Sequence, residues 1–163
     1  MSLKGKTLLM SGGSRGIGLA IALRAAADGA NIAMLAKTDT PHPKLEGTIH
    51  TAADAIRAAG GNALPILGDV RSDEDVAGAA AQAVRAFGGI DIVLNNASVI
   101  DLSRTLDLAP KRYDLMQDVN TRGTFMLSRA AIPALRDAEN PHILSLSPPV
   151  NMNPKWLGAH TGY

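Results

Sequence analysis

Residues Ser11–Gly18 read SGGSRGIG, directly after the apolar run Thr7-Leu8-Leu9-Met10 and directly before an alanine-rich, helix-like stretch from Leu19 to Asp28. Strand, glycine-rich turn and helix, in that order, are what a phosphate-binding βαβ unit requires. In this reading Gly12 turns the chain sharply off the strand end, Gly16 lets backbone approach a bound pyrophosphate, and Gly18 lets helix and strand pack closely. The helix N-terminus then offers unsatisfied N–H groups and partial positive charge to phosphate oxygens. The glycine spacing is GxxxGxG rather than GxGxxG, which points to a narrower group of dinucleotide binders.

Working outward from the turn, apolar runs bounded by turn signals recur at Lys6 to Ser11, Asn31 to Ala36, Ala63 to Leu67, Asp91 to Asn95 and His142 to Ser147. They are continuous rather than alternating, which suits strands buried on both faces of a parallel sheet. Alanine-rich segments with helical periodicity lie between them, at Gly16 to Asp28, Ile49 to Ala59, Ser72 to Phe87 and Lys111 to Arg136. Ser72 is placed to cap its helix, with Asp73, Glu74 and Asp75 in the first turn where acids favour the helix dipole. Gly60-Gly61 and Gly88-Gly89 mark helix ends, and Pro133 is expected to kink the last helix or end it early. Strict βαβα alternation predicts an α/β fold, a Rossmann-like doubly wound parallel sheet. The stretch Thr38 to Thr48, TDTPHPKLEGT, is too polar and broken for an element and reads as a surface loop beside the strand ends.

Length and composition narrow the function classes. At 163 residues the chain is expected to form one domain, residues 1–163, long enough to bury about 70% of the surface its unfolded chain exposes. The absence of Cys excludes disulfides, thiolate catalysis and cysteine-ligated zinc. A net charge of +1 with evenly spread charges gives no basic stripe for nucleic acid. No run approaches the roughly 20 apolar residues of a membrane span, and the N-terminus lacks a signal-peptide pattern, so a soluble, cytoplasmic protein is expected. The four histidines, His42, His50, His142 and His160, show neither i, i+4 pairing nor an acid cluster, so no metal site is expected.

The second strand ends Met34-Leu35-Ala36-Lys37. A fold binding NAD places Asp or Glu there to accept hydrogen bonds from the adenosine ribose. Lys37, with Arg15 in the glycine turn on the same side, instead supplies two cations that match a 2′-phosphate, hence NADP in preference to NAD. The alternative is that Lys37 is a solvated loop lysine.

By this point the residues resemble the short-chain dehydrogenase/reductase family over essentially the whole chain. SGGSRGIG is similar to the family's TGxxxGIG turn, which implies Gly12, Ser14, Arg15, Gly16, Ile17 and Gly18 as cofactor contacts. Leu67-Gly68-Asp69-Val70 resembles the third strand end, implying that Asp69 contacts the adenine with Val70 beside it. Leu94-Asn95-Asn96-Ala97-Ser98 is similar to the NNAG motif, with Ser98 in place of Gly, implying Asn96 and Ala97 near the cofactor's ribose. Val119-Asn120 matches the family's catalytic asparagine, whose bent helix frees its main-chain carbonyl. KTDTPHPKLEGTIHTAA, KRYDLMQDVNTRGTF and HILSLSPPVNMNPKWL narrow the resemblance to the hydroxysteroid dehydrogenase-like subgroup and its bacterial relatives, some labelled citronellol or citronellal dehydrogenase.

The resemblance implies an NADP-dependent oxidoreductase that interconverts an alcohol and its carbonyl, on an apolar small-molecule substrate. Tyr163 matches the acid/base tyrosine, and Ser147 the carbonyl-polarising serine, with Ser145 the second candidate. The alternative for Ser147 is a strand-end serine that bonds its own backbone. Trp156, Met152 and His160 stand where a cleft wall is expected, with core packing the alternative for Trp156 and Met152. The family's lysine, four residues beyond the tyrosine, and its later strands are expected beyond Tyr163. The chain to Tyr163 is therefore expected to be inactive alone, truncated at the C-terminal side of the sheet. The intact protein is expected to be a homo-dimer or homo-tetramer. A non-catalytic dinucleotide-binding or sensor module is the competing reading.

Overall fold

A computed structural model describes residues 2–41, 46–148 and 153. Apolar strand residues and alanine-rich helices alternate along the chain as β1 (Thr7–Ser11), α1 (Gly16–Ala27), β2 (Asn31–Ala36), α2 (Ile49–Ala58), β3 (Asn62–Leu67), α3 (Asp73–Phe87) and β4 (Ile92–Asn95). They continue as α4 (Pro110–Met116), a π-helical stretch Gln117–Arg122, α5 (Gly123–Leu135) and β5 (His142–Ser145). All pairings are parallel, in the order β3-β2-β1-β4-β5.

Side-chain alternation along the strands sorts the core into two layers. Leu9, Ala33, Leu35 and Val93 face α3 and α5, where they meet Val76, Ala79, Ala83, Leu127 and Ala131. Leu8, Met10, Ile32, Met34 and Leu94 face α1 and α2, where they meet Ala22, Ala26, Ala53 and Ile56. Alanines let these helices approach the sheet closely, and larger strand residues fill the space between. The register Leu9↔Ala33 and Leu9↔Val93 keeps one layer continuous across the sheet, as Met10↔Met34 and Met10↔Leu94 do for the other.

Burial on both faces holds for the inner strands but not for the edges. β1 is buried at every position, whereas β5 is exposed along its length, with Ile143 at 46% and Leu144 at 51% exposure. Among the described residues β5 pairs on one side only, with β4.

The local signals act as their chemistry requires. The Ser72 hydroxyl accepts from the N–H of Asp75 at 3.2 Å, and Gly88 closes α3 in the left-handed region at φ 84°. The expected single helix from Lys111 to Arg136 is instead three pieces, and the irregularity does not sit at Pro133. Pro133 lies within the last turn of α5, which ends two residues later at Leu135; its missing N–H leaves the Arg129 carbonyl without the usual i→i−4 donor. The distortion is the π-helical stretch at Gln117–Arg122.

Candidate functional site

The strand order reverses between β1 and β4, and above the C-terminal ends of the strands a cleft of about 450 Å³ opens at this point. Its floor is the turn leaving β1, with Gly12, Ser14, Arg15, Ile17 and Gly18. Ala36, Lys37 and Thr38 line it from the end of β2, Gly68, Asp69 and Val70 from the end of β3, and Asn96 to Val99 from the end of β4. Leu115 and Val119 close the remaining wall.

The turn is built by close backbone contact. A Cβ on Gly18 would lie 2.5 Å from the carbonyl oxygen of Gly12 and 2.6 Å from Asn96 Nδ2. Asn96 Nδ2 donates to the carbonyls of Gly12 at 2.7 Å and Ser11 at 3.1 Å. The Ser11 hydroxyl accepts from the N–H groups of Asn96 at 3.2 Å and Ala97 at 3.1 Å. The end of β4 is thereby stapled to the turn, and the side-chain nitrogen of Asn96 is spent on that staple. Gly16 differs in kind, because it sits at φ +57° with open space where its Cβ would be. Arg15 stands at the N-cap of α1 without capping it, and no acid occupies the first turn. First-turn amides without a side-chain cap, beside open space, form a cradle suited to phosphate oxygens.

Charge gathers at the β2–β3 end. The Arg15 side chain donates through Nη2 to the carbonyl of Gly47 at 3.2 Å, while its buried Nη1 has no hydrogen-bond partner among the described residues. A buried guanidinium nitrogen left in that state is a ready donor for an anion. Lys37, 60% exposed, reaches Asp69 Oδ2 at 3.3 Å. Arg71 holds the same carboxylate with Nε at 3.1 Å from Oδ1 and 3.0 Å from Oδ2, and Nη2 at 2.6 Å from Oδ2. These guanidinium bonds hold the Asp69 carboxyl well below the usual carboxylate range, helped by the Arg71 backbone N–H and the Lys37 charge and opposed by partial burial. The backbone N–H of Asp69 donates to Asp75 Oδ2 at 2.8 Å, so an acid read from the sequence as a helix-start residue also anchors the β3 loop.

Asn120 lies in the π-helical stretch, and its side chain does not bond its own helix. Its Oδ1 accepts from the N–H of Val99 and its Nδ2 donates to the carbonyl of Val99, both at 2.9 Å. The distortion therefore does not arise from asparagine competing for helix bonds; the widened turn carries Asn120 while its amide grips the segment after β4. The main-chain carbonyl of Asn120 accepts the Thr124 hydroxyl at 2.7 Å.

Among the described residues, Ser145 and Ser147 do not line the cleft. Ser147 is exposed, and its hydroxyl donates to the carbonyl of Pro148 at 3.3 Å. The Ser145 hydroxyl accepts from Asn95 Nδ2 at 3.2 Å, and the same nitrogen reaches Ser128 at 3.0 Å. Tyr163, Trp156, Met152, His160 and His42 lie outside the described residues. His50 and His142 are exposed. Among the described residues no group of three His, Cys, Asp or Glu is placed to hold a metal, and no helix is long and apolar enough to cross a membrane.

Sequence reasoning missed Arg71, the Asp75 anchor and Arg122, whose guanidinium donates to the carbonyl of Arg71 at 2.7 Å and pairs with Asp73. The one sequence signal for Arg71 was an opposite charge two residues after Asp69. Arg122 had none, since its partners lie far back in the chain.

An uncapped helix start over a glycine turn, at a reversal of strand order, defines a dinucleotide-binding α/β protein. A family model for short chain dehydrogenase matches residues 6–156, and the chain belongs to that family. It resembles the hydroxysteroid dehydrogenase-like subgroup: it is 55% identical over 161 residues to hydroxysteroid dehydrogenase-like protein 2 of Homo sapiens, covering 99% of this chain and 38% of the human protein. The protein of the same name from Danio rerio is 56% identical, with 99% of this chain and 39% of the relative covered. The chain thus spans well under half the length of these curated relatives. Among solved structures, a short chain dehydrogenase from Mycobacterium thermoresistibile is 57% identical with a TM-score of 0.93, covering 97% of this chain and 56% of the other. An NAD+-bound xylitol dehydrogenase is 28% identical with a TM-score of 0.79, covering 89% and 54%.

Proposed function

We propose that this chain is the cofactor-binding domain, residues 1–163, of an NADP-dependent oxidoreductase that interconverts an alcohol and its carbonyl on an apolar small-molecule substrate. The observation that carries the cofactor choice is the buried, unpartnered Nη1 of Arg15 among the described residues, in the same cleft as Lys37. A 2′-phosphate on the adenosine ribose satisfies that donor, whereas a bare hydroxyl leaves positive charge uncompensated. In this reading the Gly16, Ile17 and Gly18 amides and Ser14 hold the pyrophosphate, and Gly12 keeps the turn tight. Asp69 and Val70 flank the adenine, and Asn96 and Ala97 border the ribose. The relatives support the class of cofactor, since one solved neighbour holds NAD+.

When bound, the nicotinamide supplies hydride. Tyr163 would give a proton to the carbonyl oxygen during reduction and take it back during oxidation. A free tyrosine has a pKa near 10, so a nearby cation must lower it, and a lysine four residues beyond Tyr163 in the intact protein fills that role. Ser147 would polarise the carbonyl. Asn120, gripping Val99, holds the wall beside the reacting end and keeps a main-chain carbonyl available to a proton relay. The intact protein acts in the cytoplasm as a homo-dimer or homo-tetramer in this reading.

The test is Lys37→Asp in the full-length protein. Replacing a cation by an anion beside the phosphate is expected to weaken NADPH by about tenfold or more while NADH weakens far less. Equal losses for the two cofactors remove the charge argument.

A further inference from the structure

The carboxylate of Asp69 stands between two cations at the cofactor end of the cleft, and the two contacts are unequal. Lys37 makes one contact with it, at 3.3 Å, and is 60% exposed. Arg71 makes three side-chain contacts, at 2.6, 3.0 and 3.1 Å, and adds its backbone N–H to Oδ1 at 3.0 Å. The loop that carries both residues is fixed from outside. The Asp69 N–H is held by Asp75, and the Arg71 carbonyl by Arg122. Arg71 thus has its side chain turned back on the carboxylate two residues before it.

Charge balance sets how this cluster meets an anion. A lone carboxylate beside Lys37 would cancel the lysine and repel a phosphate arriving next to it. With Arg71 engaged in forked, charge-assisted bonds, the carboxylate is already compensated, and the trio Lys37, Asp69 and Arg71 keeps one net positive charge. That charge resides on the residue with the weaker tie and the greater exposure, which is Lys37.

Resting on the NADP reading above, we propose that Arg71 is a positioning residue for cofactor choice: by engaging Asp69 it keeps Lys37 available to the phosphate on the adenosine ribose. Arg71 itself does not touch the cofactor. It acts through the carboxylate, so its effect belongs to the ratio of NADP+ to NAD+ affinity and not to dinucleotide binding in general.

The experiment measures dissociation constants of NADP+ and NAD+ by titration calorimetry on the full-length protein. Arg71→Met keeps an extended unbranched side chain and removes the charge, and it is expected to lower the NADP+/NAD+ affinity ratio about fivefold, a modest figure because the cluster is solvent-screened. Adding Asp69→Asn to that variant removes the competitor for Lys37 and should restore the ratio. Equal weakening of both cofactors, unrepaired by the second change, would show a loop-holding role only and overturn the proposal. If Arg71→Met does not fold, Arg71→Gln takes its place: the ratio should again fall about fivefold, and an unchanged ratio overturns the proposal. Wild-type protein that binds neither dinucleotide, or prefers NAD+, defeats the underlying NADP reading before any variant is made.

Discussion

Gly18→Ala is the sharpest test of how the cleft floor is built. The added methyl would sit 2.5 Å from the Gly12 carbonyl oxygen and 2.6 Å from Asn96 Nδ2. Neither is a free-swinging side-chain end: one is backbone, and the other is bonded to Gly12 and Ser11. Relief requires α1 to move off the β1 turn or the Asn96–Gly12 bond to break. Overpacking of this kind costs about 1–3 kcal/mol, and a lost hydrogen bond adds about 1 kcal/mol. The helix preference of alanine over glycine returns about 1 kcal/mol. The net is about 1–3 kcal/mol, or a fall in Tm of about 2–12 °C at 2–4 °C per kcal/mol, read by circular dichroism. Gly16→Ala provides the contrast, since nothing lies within 4 Å of its added Cβ and φ is +57°. It should cost about 1–2 kcal/mol from the left-handed backbone alone, with no packing loss. A Gly18→Ala protein as stable as wild type would show that the turn is looser than these contacts require, and the staple argument would fail.

Contacts elsewhere in the chain yield two more expected outcomes. Asn120→Ala removes both bonds to the Val99 backbone and should cost about 1–3 kcal/mol in chemical denaturation, with hydrogen exchange rising at Val99. Unchanged exchange there would mean that the grip is not what orders the segment after β4. Asp101 accepts from the Ser103 hydroxyl and pairs with Arg112, which lowers its pKa from 3.8 to about 2. The folded state therefore binds fewer protons than the unfolded state in that range, so this contribution is complete above the unfolded value and is lost as pH falls toward the folded one. The denaturation midpoint should drop as pH is lowered from 3.8 to about 2, and Asp101→Asn should flatten that part of the curve. An unaltered slope in the variant would refute the assignment.

Interactions that close within a few residues were readable from the chain. Ser72 followed by Asp73, Glu74 and Asp75 announced a capped helix, and the serine does accept from the N–H of Asp75. The glycine turn was equally plain, because a strand, a turn that needs left-handed backbone and a helix start are contiguous in SGGSRGIG. Pro133 marked the end of the helical run, since α5 stops at Leu135, but nothing local announced the π-helical stretch at Gln117–Arg122.

What the linear order of residues determined by itself was the alternation of strand and helix, the parallel sheet, the location of the phosphate-binding turn and the cationic character of the β2 end. These depend on periodicity and on backbone freedom at single positions, which are properties of neighbours in sequence. Tertiary structure alone decided that Asn96 would spend its amide on Gly12, 84 residues away, and that Asn120 would hold Val99, 21 residues away. It also decided that Lys37 would meet Asp69 across 32 residues. Such pairings require two strand ends, or a strand end and a helix, to arrive at one edge of the sheet. Hydrogen bonds and charge pairs act over a few ångströms, so only the packed sheet brings those groups within reach of one another.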